Sequence, residues 1–341
     1  MDLSLFKFVI QTKLIRITNY IKGWVMKAAV IARFGEVPEY REAELPGRLG
    51  PQEVIVDVVA AGLHPRVRSQ AEGSHYTSTD RLPFVPGIDG VCRLEDGTLR
   101  YFVLPDTALG SLAERTVIDL RRSVMLPLGA DPVQVAAVMN PAMSSWVALR
   151  RRIDFRPGQS VLILGATGSA GRLAVEVARS LGAGRVVAVG RGRERMLPLG
   201  ADVTVDLLGE DHAVAAALGE AGREVDVVID YLWGRPTRDA LRAIIPSRAD
   251  ESQVLTWIQV GSVAGLEAPV PSAALRASRL QIIGSGQGSM STQDIAAELA
   301  GLARAVAEGS FGVETRAVPL SAVGTAWADD PGSAGRVVFI P

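Results

Sequence analysis

Cysteine is almost missing from this chain: Cys92 is the only one in 341 residues. That excludes an intramolecular disulfide and any zinc site built on several thiolates, and it fits a reducing cytoplasm. An excess of one charge is missing too. Lys plus Arg number 36 against 37 Asp plus Glu, which leaves no electrostatic footprint for nucleic acid or an anionic surface. Internal repeats, low-complexity tracts and long linkers are absent. What remains is 48 % hydrophobic and 21 % charged, the composition of a soluble globular protein, with length enough for two domains of ordinary size.

One stretch carries a dense signal. Val161 to Leu164 is a short, wholly apolar run, as expected of a strand buried on both faces of a parallel sheet. Gly165, Gly168 and Gly171 follow at three-residue spacing, and Leu173, Val177 and Leu181 then recur at i, i+4 and i+8 beside Ala170, Ala174 and Ala178. A helix therefore begins within the glycine turn. A strand, a glycine turn and a helix together make a phosphate seat, because the glycines admit a pyrophosphate to the backbone and the first-turn N–H groups point at it. The pattern departs from strict Gly-x-Gly-x-x-Gly and reads Ala166-x-Gly168-x-x-Gly171 with Gly165 in front. Glycines alone also fit an ordinary turn. The strand before, the helix after and a second apolar run at Val186–Val189 favour a dinucleotide seat made by Gly165, Ala166, Thr167, Gly168, Ser169, Ala170 and Gly171.

The second run ends in Gly190-Arg191-Gly192-Arg193-Glu194-Arg195. An NAD site usually has Asp or Glu about 20 residues after the glycines to hold the ribose 2′-hydroxyl. Arg191 stands in that place. A carboxylate there repels a 2′-phosphate, whereas a guanidinium binds it with charge-assisted, often bidentate hydrogen bonds. NADP(H) is thus favoured over NAD(H), with Arg191 as main contact and Gly190, Arg193 and Arg195 around it. A solvated basic loop is the plain alternative.

Residues 1–25 differ from the rest. Phe6, Ile10, Leu14, Ile17, Ile21 and Trp24 recur at spacings of four and three among Lys7, Lys13, Arg16 and Lys22. They read either as a basic amphipathic helix for a membrane surface or partner, or as the trace of an upstream start codon. The second reading is preferred, because Met26-Lys-Ala-Ala-Val30 opens a convincing first strand. Charges interrupt every apolar run, so neither a signal peptide nor a transmembrane span is expected.

From Met26 to about Pro132 the chain reads as short strands punctuated by Pro46-Gly47, Gly50-Pro51, Pro86-Gly87 and Asp96-Gly97, a β-rich domain with little helix. From Val133 the character changes. Helical spacing over Val133–Arg151 gives way to strand–helix alternation: strands at Asp226–Asp230, Val254–Val260 and Leu280–Ile283, helices at Pro236–Ile245 and Ile295–Val306, and a last strand at Arg336–Ile340. Repeated β-α-β with short links implies a doubly wound parallel sheet that interrupts the β-rich domain.

Together these segments resemble the medium-chain dehydrogenase/reductase superfamily, specifically its zinc-free quinone oxidoreductase branch, over nearly all of residues 26–341. The resemblance is carried by Met26-Lys-Ala-Ala-Val30, Ala60-Ala-Gly-Leu-His-Pro65, Leu82-Pro-Phe-Val-Pro-Gly-Ile-Asp89, Pro141-Ala-Met-Ser-Ser-Trp-Val-Ala-Leu149, the glycine turn, Leu199-Gly-Ala-Asp202 and Gly335-Arg-Val-Val338. It implies an α/β fold in which a Rossmann domain, residues 137–285, is inserted into a GroES-like catalytic domain of residues 26–136 and 286–341. It also implies a homodimer paired through the Rossmann sheets. Zinc-dependent relatives supply cysteine and then His-Glu where this chain has His64 and then Ile88 and Asp89, and the four-cysteine structural lobe is missing. A catalytic zinc needs three protein ligands, so no metal is expected and His64 is read as a polar wall of the substrate cleft. The chain departs from the family between Val91 and Leu112, a segment that borders the cleft in relatives.

Without a metal to polarise a carbonyl, hydride addition to a quinone or an activated C=C is the easier chemistry. The expected activity is NADPH-dependent reduction of a quinone or α,β-unsaturated carbonyl. Tyr76 matches a tyrosine that lies near the nicotinamide in quinone oxidoreductases and would donate to the substrate oxygen; an exposed loop tyrosine is the alternative. Asn140 and Ser144 reach the nicotinamide side by resemblance, or else cap a helix. Gly261 and Ser262, with Gly284 and Ser285, end later strands where open α/β sheets bind ligands. Two other functions remain open: a metal-independent NADPH aldehyde or ketone reductase, and a non-catalytic NADPH-binding sensor or scaffold.

Overall fold

The computed structural model describes residues 25–75, 78–105, 107–286, 288–329 and 335–341; the N-terminal segment up to Trp24 and Tyr76 lie outside the described residues. In chain order the strands are β1 (Val25–Val30), β2 (Glu39–Glu44), β3 (Glu53–Gly62), β4 (Asp89–Arg93), β5 (Leu99–Val103), β6 (Arg115–Asp119), β7 (Ser123–Met125), β8 (Ser160–Leu164), β9 (Arg185–Gly190), β10 (Val203–Asp206), β11 (Val227–Asp230), β12 (Val254–Gln259), β13 (Arg279–Gly284), β14 (Thr315–Pro319) and β15 (Arg336–Ile340). The chain divides into two units, Met1–Ala137 with Val313–Pro341, and Val138–Gly312.

In the second unit the continuous apolar runs become buried strands. Every residue of β8 and of β11 is buried, as a parallel sheet covered on both faces requires. Six strands pair in the order β10-β9-β8-β11-β12-β13, all parallel. Counted from β8, that is the 3-2-1-4-5-6 order of a doubly wound nucleotide-binding sheet. Its direction of winding reverses between β8 and β11, whose last residues Leu164 and Asp230 are register partners. Ligands bind such sheets at the carboxyl ends of the strands flanking that point. The helix Ser169–Ser180 covers β8 and β9, burying Leu173, Ala174, Val175, Val177 and Ala178.

Residues 286–312 cluster with this second unit, although the sequence reading attached them to the β-rich domain. The reason is Glu298. Its carboxylate accepts from Trp146 Nε1 at 2.9 Å and from Arg150 and Arg151 Nε at 2.6 Å each, which pins the helix Thr292–Ala307 to the stretch before β8. Burial raises the Glu298 pKa, but the three donors outweigh it and hold the carboxyl below its usual range.

The first unit is β-rich. Strands β14-β15-β3-β4-β5-β7 form one sheet with β6 also paired to β3, and β1 pairs with β2. One of its apolar clusters gathers Ile31, Val67, Phe84, Leu112, Leu320, Val323 and Phe339. The segment that departs from the family becomes the antiparallel hairpin β4–β5, closed by Leu94 N–H donating to the Thr98 carbonyl. One helix, Pro65–Ala71, was not anticipated. Pro65 stands in its first turn and Val67, Gln70 and Ala71 are its buried face, a start signal that the sequence did contain.

Candidate functional site

The glycine turn is built from three glycines with three different duties. Gly165 lies at φ +100°, a conformation open to glycine and closed to most side chains. Gly171 has no room: a Cβ there would stand 2.2 Å from the Gly165 carbonyl oxygen. Gly168 has room. A Cβ on it would meet only that oxygen, at an ordinary 3.6 Å, so the protein itself does not demand glycine at this position. It is the N-cap of the helix Ser169–Ser180, where the first-turn N–H groups of Ser169, Ala170 and Gly171 have no intrahelical acceptor. An open glycine at a helix N-terminus fits the diphosphate of a dinucleotide. Thr167 packs against the end of β9, where a Cβ on Gly190 would come within 2.7 Å of its Cγ2.

The basic loop lies beside this turn. Gly192 sits at φ +83°, and Asp206 at the end of β10 accepts from the Gly192 and Arg193 N–H groups at 2.9 Å each. Burial raises the Asp206 pKa, and the N–H donors of Leu208, Gly192 and Arg193 more than reverse that, holding the carboxyl low. Arg195 reaches back to the glycine turn, its Nη2 donating to the Thr167 carbonyl at 3.1 Å. Arg191, Arg193 and Arg195 are all exposed. The structure therefore separates roles that the sequence left together: Arg195 braces the turn, and Arg191 projects from the end of β9 with no hydrogen bond to another described residue.

At the carboxyl end of β11 a buried carboxylate organises the neighbouring loops. Asp230 Oδ1 accepts from the N–H groups of Leu232 and Trp233, and Oδ2 accepts from Thr237 Oγ1 and Trp257 Nε1. The bonds fold residues 231–233 tightly enough to place Trp233 at φ 57°, the one positive φ outside glycine among the described residues. A bulky residue there is an outlier of the kind found at ligand sites, and sequence reading assigned Trp233 nothing. Gly261 fits because a Cβ would come within 2.7 Å of the Tyr231 carbonyl oxygen. Ser285 N–H donates to Gln259 O, while Gly284, open on its Cα side, accepts from Arg152 Nε. Ser262 is exposed.

Neither Asn140 nor Ser144 caps a helix, since both lie inside the helix Pro132–Val147. Ser144 Oγ donates to the Pro141 carbonyl at 2.7 Å and so accepts from Tyr231 Oη at 2.9 Å. Burial pushes the Tyr231 hydroxyl up to about 12, so it remains a donor at neutral pH. Ser144 thus fixes the ring of a tyrosine at the winding reversal, a partner that the sequence reading missed. Asn140 is half-buried.

In the first unit His64, read from the sequence as a polar wall of the substrate cleft, is buried. It is 3 % exposed, Asp89 is 1 % and Tyr101 is 0 %. His64 Nε2 lies 2.9 Å from Asp89 Oδ1, and Tyr101 Oη donates to Asp89 Oδ2 at 2.8 Å. Burial lowers the His64 pKa against the opposing pull of Asp89, and burial raises Tyr101 well above its ordinary value. The imidazole is therefore neutral at pH 7, with Nε2–H donating. No group of three or more metal-ligating side chains occurs among the described residues. Cys92 is buried, and desolvation pushes its thiol up to about 12, so it is not a ready nucleophile.

The strand order and glycine turn define a Rossmann-type nucleotide-binding unit in a chain that also carries a β-rich unit. No family model matches the chain. Its sequence is 32 % identical to a probable NADPH-dependent quinone reductase of Emericella nidulans, across 93 % of this chain and 100 % of that protein. It is 27 % identical to a chloroplastic NADPH-dependent alkenal/one oxidoreductase of Arabidopsis thaliana, over 70 % of each. Among solved structures, the quinone oxidoreductase of Thermus thermophilus, also determined with NADPH, matches with TM-score 0.75 and 26 % identity over 93 % of this chain and 100 % of that one. A probable oxidoreductase of Mycobacterium abscessus matches with TM-score 0.72 and 28 % identity over 93 % and 99 %. The chain belongs to the quinone oxidoreductase branch of the medium-chain dehydrogenase/reductase superfamily.

Proposed function

We propose that this protein is an NADPH-dependent, zinc-independent reductase that transfers hydride to a quinone or an α,β-unsaturated carbonyl. The observation that carries the reading is the full-length match to a probable NADPH-dependent quinone reductase, joined to a glycine turn whose Gly168 is left open by the protein itself. The bound dinucleotide supplies the hydride. The amides of Gly168 to Gly171 hold its diphosphate, Arg191 with Arg193 grips the 2′-phosphate, and Arg195 and Gly190 keep the turn in shape. Tyr231, held by Ser144, lies with Gly261, Ser262, Gly284 and Ser285 along the nicotinamide half. Tyr76 and Asn140 are the candidate donors to the acceptor oxygen, and His64 acts through Asp89 as a positioning residue.

Zinc independence is supported by the donor set: His64 Nε2 and both Asp89 oxygens are engaged within the protein. Elemental analysis of purified protein with a full equivalent of zinc would overturn it. A homodimer paired through the edge strand β13 and a reducing, cytoplasmic setting for the lone thiol complete the reading; light scattering of the purified chain tests the first. No described helix is long and apolar enough to cross a membrane. The deciding experiment follows NADPH oxidation by absorbance against quinones, 2-alkenals and saturated aldehydes. Turnover of the first two classes is expected, and turnover of saturated aldehydes alone would replace the reading.

A further inference from the structure

Four adjacent strands of the first unit, β15, β3, β4 and β5, bring their polar residues to one place. Leu63 N–H donates to Val337 O and Gly62 pairs with Val338, so the antiparallel register continues to set His64 opposite Arg336. Asp89 opens β4, paired with β5, where Tyr101 donates to it. Arg336 feels Asp89 and Tyr101 electrostatically, and desolvation pulls its guanidinium down to about 10. Yet among the described contacts Arg336 forms no ion pair with Asp89, whose two oxygens accept from His64 and Tyr101.

The consequence is two donors with nowhere to go. Arg336 Nε and Nη1 are shut off from solvent and have no hydrogen-bond partner among the described residues. Arg248, a buried arginine of the second unit, also leaves its Nε unpartnered, but both of its terminal nitrogens are used: Nη1 donates to the Gly222 and Val225 carbonyls and Nη2 to Gln253. Leaving charged donors buried and unmade is costly, and such orphans call for a reason. The cluster His64–Asp89–Tyr101–Arg336 already balances one carboxylate against one guanidinium, with a neutral imidazole and a neutral phenol. What it still accepts is an oxygen carrying negative charge.

We propose that Arg336 is an oxyanion-binding residue whose Nε and Nη1 receive a negatively charged oxygen of a bound ligand. Its identity rests on the reductase reading above: the oxygen that becomes an enolate or hydroquinone anion on the reduced acceptor. Asp89, oriented by His64 and Tyr101, keeps the guanidinium charged without occupying its donors. Arg336 then stabilises charge where water is excluded and such bonds are strongest.

The test is Arg336→Lys in the full chain, with Arg336→Gln as a second variant. Lysine keeps a positive charge facing Asp89 and loses the planar fork. Dissociation constants for NADPH, by nucleotide fluorescence, and for 4-nitrophenolate, a phenolate probe read by absorbance, are measured for each protein beside the melting temperature. Nitrophenolate affinity should fall about tenfold or more, with NADPH affinity unchanged. Loss of nitrophenolate binding with NADPH unchanged supports the proposal; loss of NADPH binding alone overturns it. Nitrophenolate affinity within twofold of wild type, or no nitrophenolate binding by wild type, overturns the proposal. Arg336-dependent nitrophenolate binding by a wild-type protein that fails to oxidise NADPH with any of the quinones, alkenals and aldehydes would sink the reductase reading and leave the oxyanion site standing.

Discussion

Gly171 and Gly165 meet so closely that a Cβ on the first would lie 2.2 Å from the carbonyl oxygen of the second. This approach seats the helix Ser169–Ser180 on the end of β8 and so aims its free amides. Gly168, three residues earlier, meets no such obstacle, its nearest atom being at 3.6 Å. The two glycines should therefore fail differently. Gly171→Ala forces backbone apart and should lower stability by about 1–3 kcal/mol, with NADPH affinity falling as the turn shifts. Gly168→Ala should leave the urea midpoint nearly unchanged and weaken NADPH at least tenfold, because its methyl enters the phosphate's space. Wild-type NADPH affinity in Gly168→Ala would show that no phosphate approaches there.

Arg191 and Arg195 are separable by the same logic. Arg195 is tied to the Thr167 carbonyl, whereas the Arg191 guanidinium is engaged by no described residue. Arg191→Glu should reduce NADPH affinity by about two orders of magnitude, a charge-assisted pair being replaced by repulsion, and should leave NADH affinity within a few-fold. Arg195→Ala should weaken both nucleotides equally, since it loosens the turn that both share. Titrations of each variant with both nucleotides decide the matter, and equal losses in Arg191→Glu would remove it from the 2′-phosphate.

The phosphate seat was legible because all its parts are close in sequence. Val161–Leu164, the three glycines and the helix that follows lie within about twenty residues, and each is dictated by burial, backbone freedom or side-chain period. The alternation of apolar runs and helical spacing gave the parallel sheet as well. The rest depends on distant pairs. His64 joins Asp89 and Tyr101 only through strand pairing, and Glu298 finds Trp146 across roughly half the chain. No local pattern announces that a carboxylate will be buried under several donors. Trp233 was hidden differently: its positive φ comes from the Asp230 bonds, and a tryptophan gives no local warning of it.

Asp230 should be the most sensitive polar residue of the second unit. Four donors converge on it, two from the backbone and two from Thr237 and Trp257. Asp230→Asn keeps the shape but turns one acceptor oxygen into an NH2 group facing donors. The loss should be about 2–4 kcal/mol, the sum of weakened charge-assisted bonds and a buried clash of donors. Urea denaturation measures it. A variant as stable as wild type would mean that the Tyr231–Trp233 turn holds without the carboxylate.

Acid stability should report on His64. Burial depresses its folded-state pKa below the ordinary 6.5, despite the attraction of Asp89. Between those two values the unfolded chain binds a proton that the folded protein refuses, so stability rises with pH there. It is complete above about pH 6.5 and falls as the solution is acidified below that, by up to about 1.4 kcal/mol per pH unit for one group. His64→Gln removes the titration while its amide nitrogen, placed like Nε2, still donates to Asp89. At pH 7.5 the variant should lose about 1 kcal/mol through imperfect packing. Between pH 6.5 and 5 its urea midpoint should fall less steeply than that of wild type, so the two curves converge. Parallel curves would mean that His64 is protonated as readily in the fold as in the unfolded chain, and its hydrogen bond to Asp89 would then be an ion pair rather than a neutral contact.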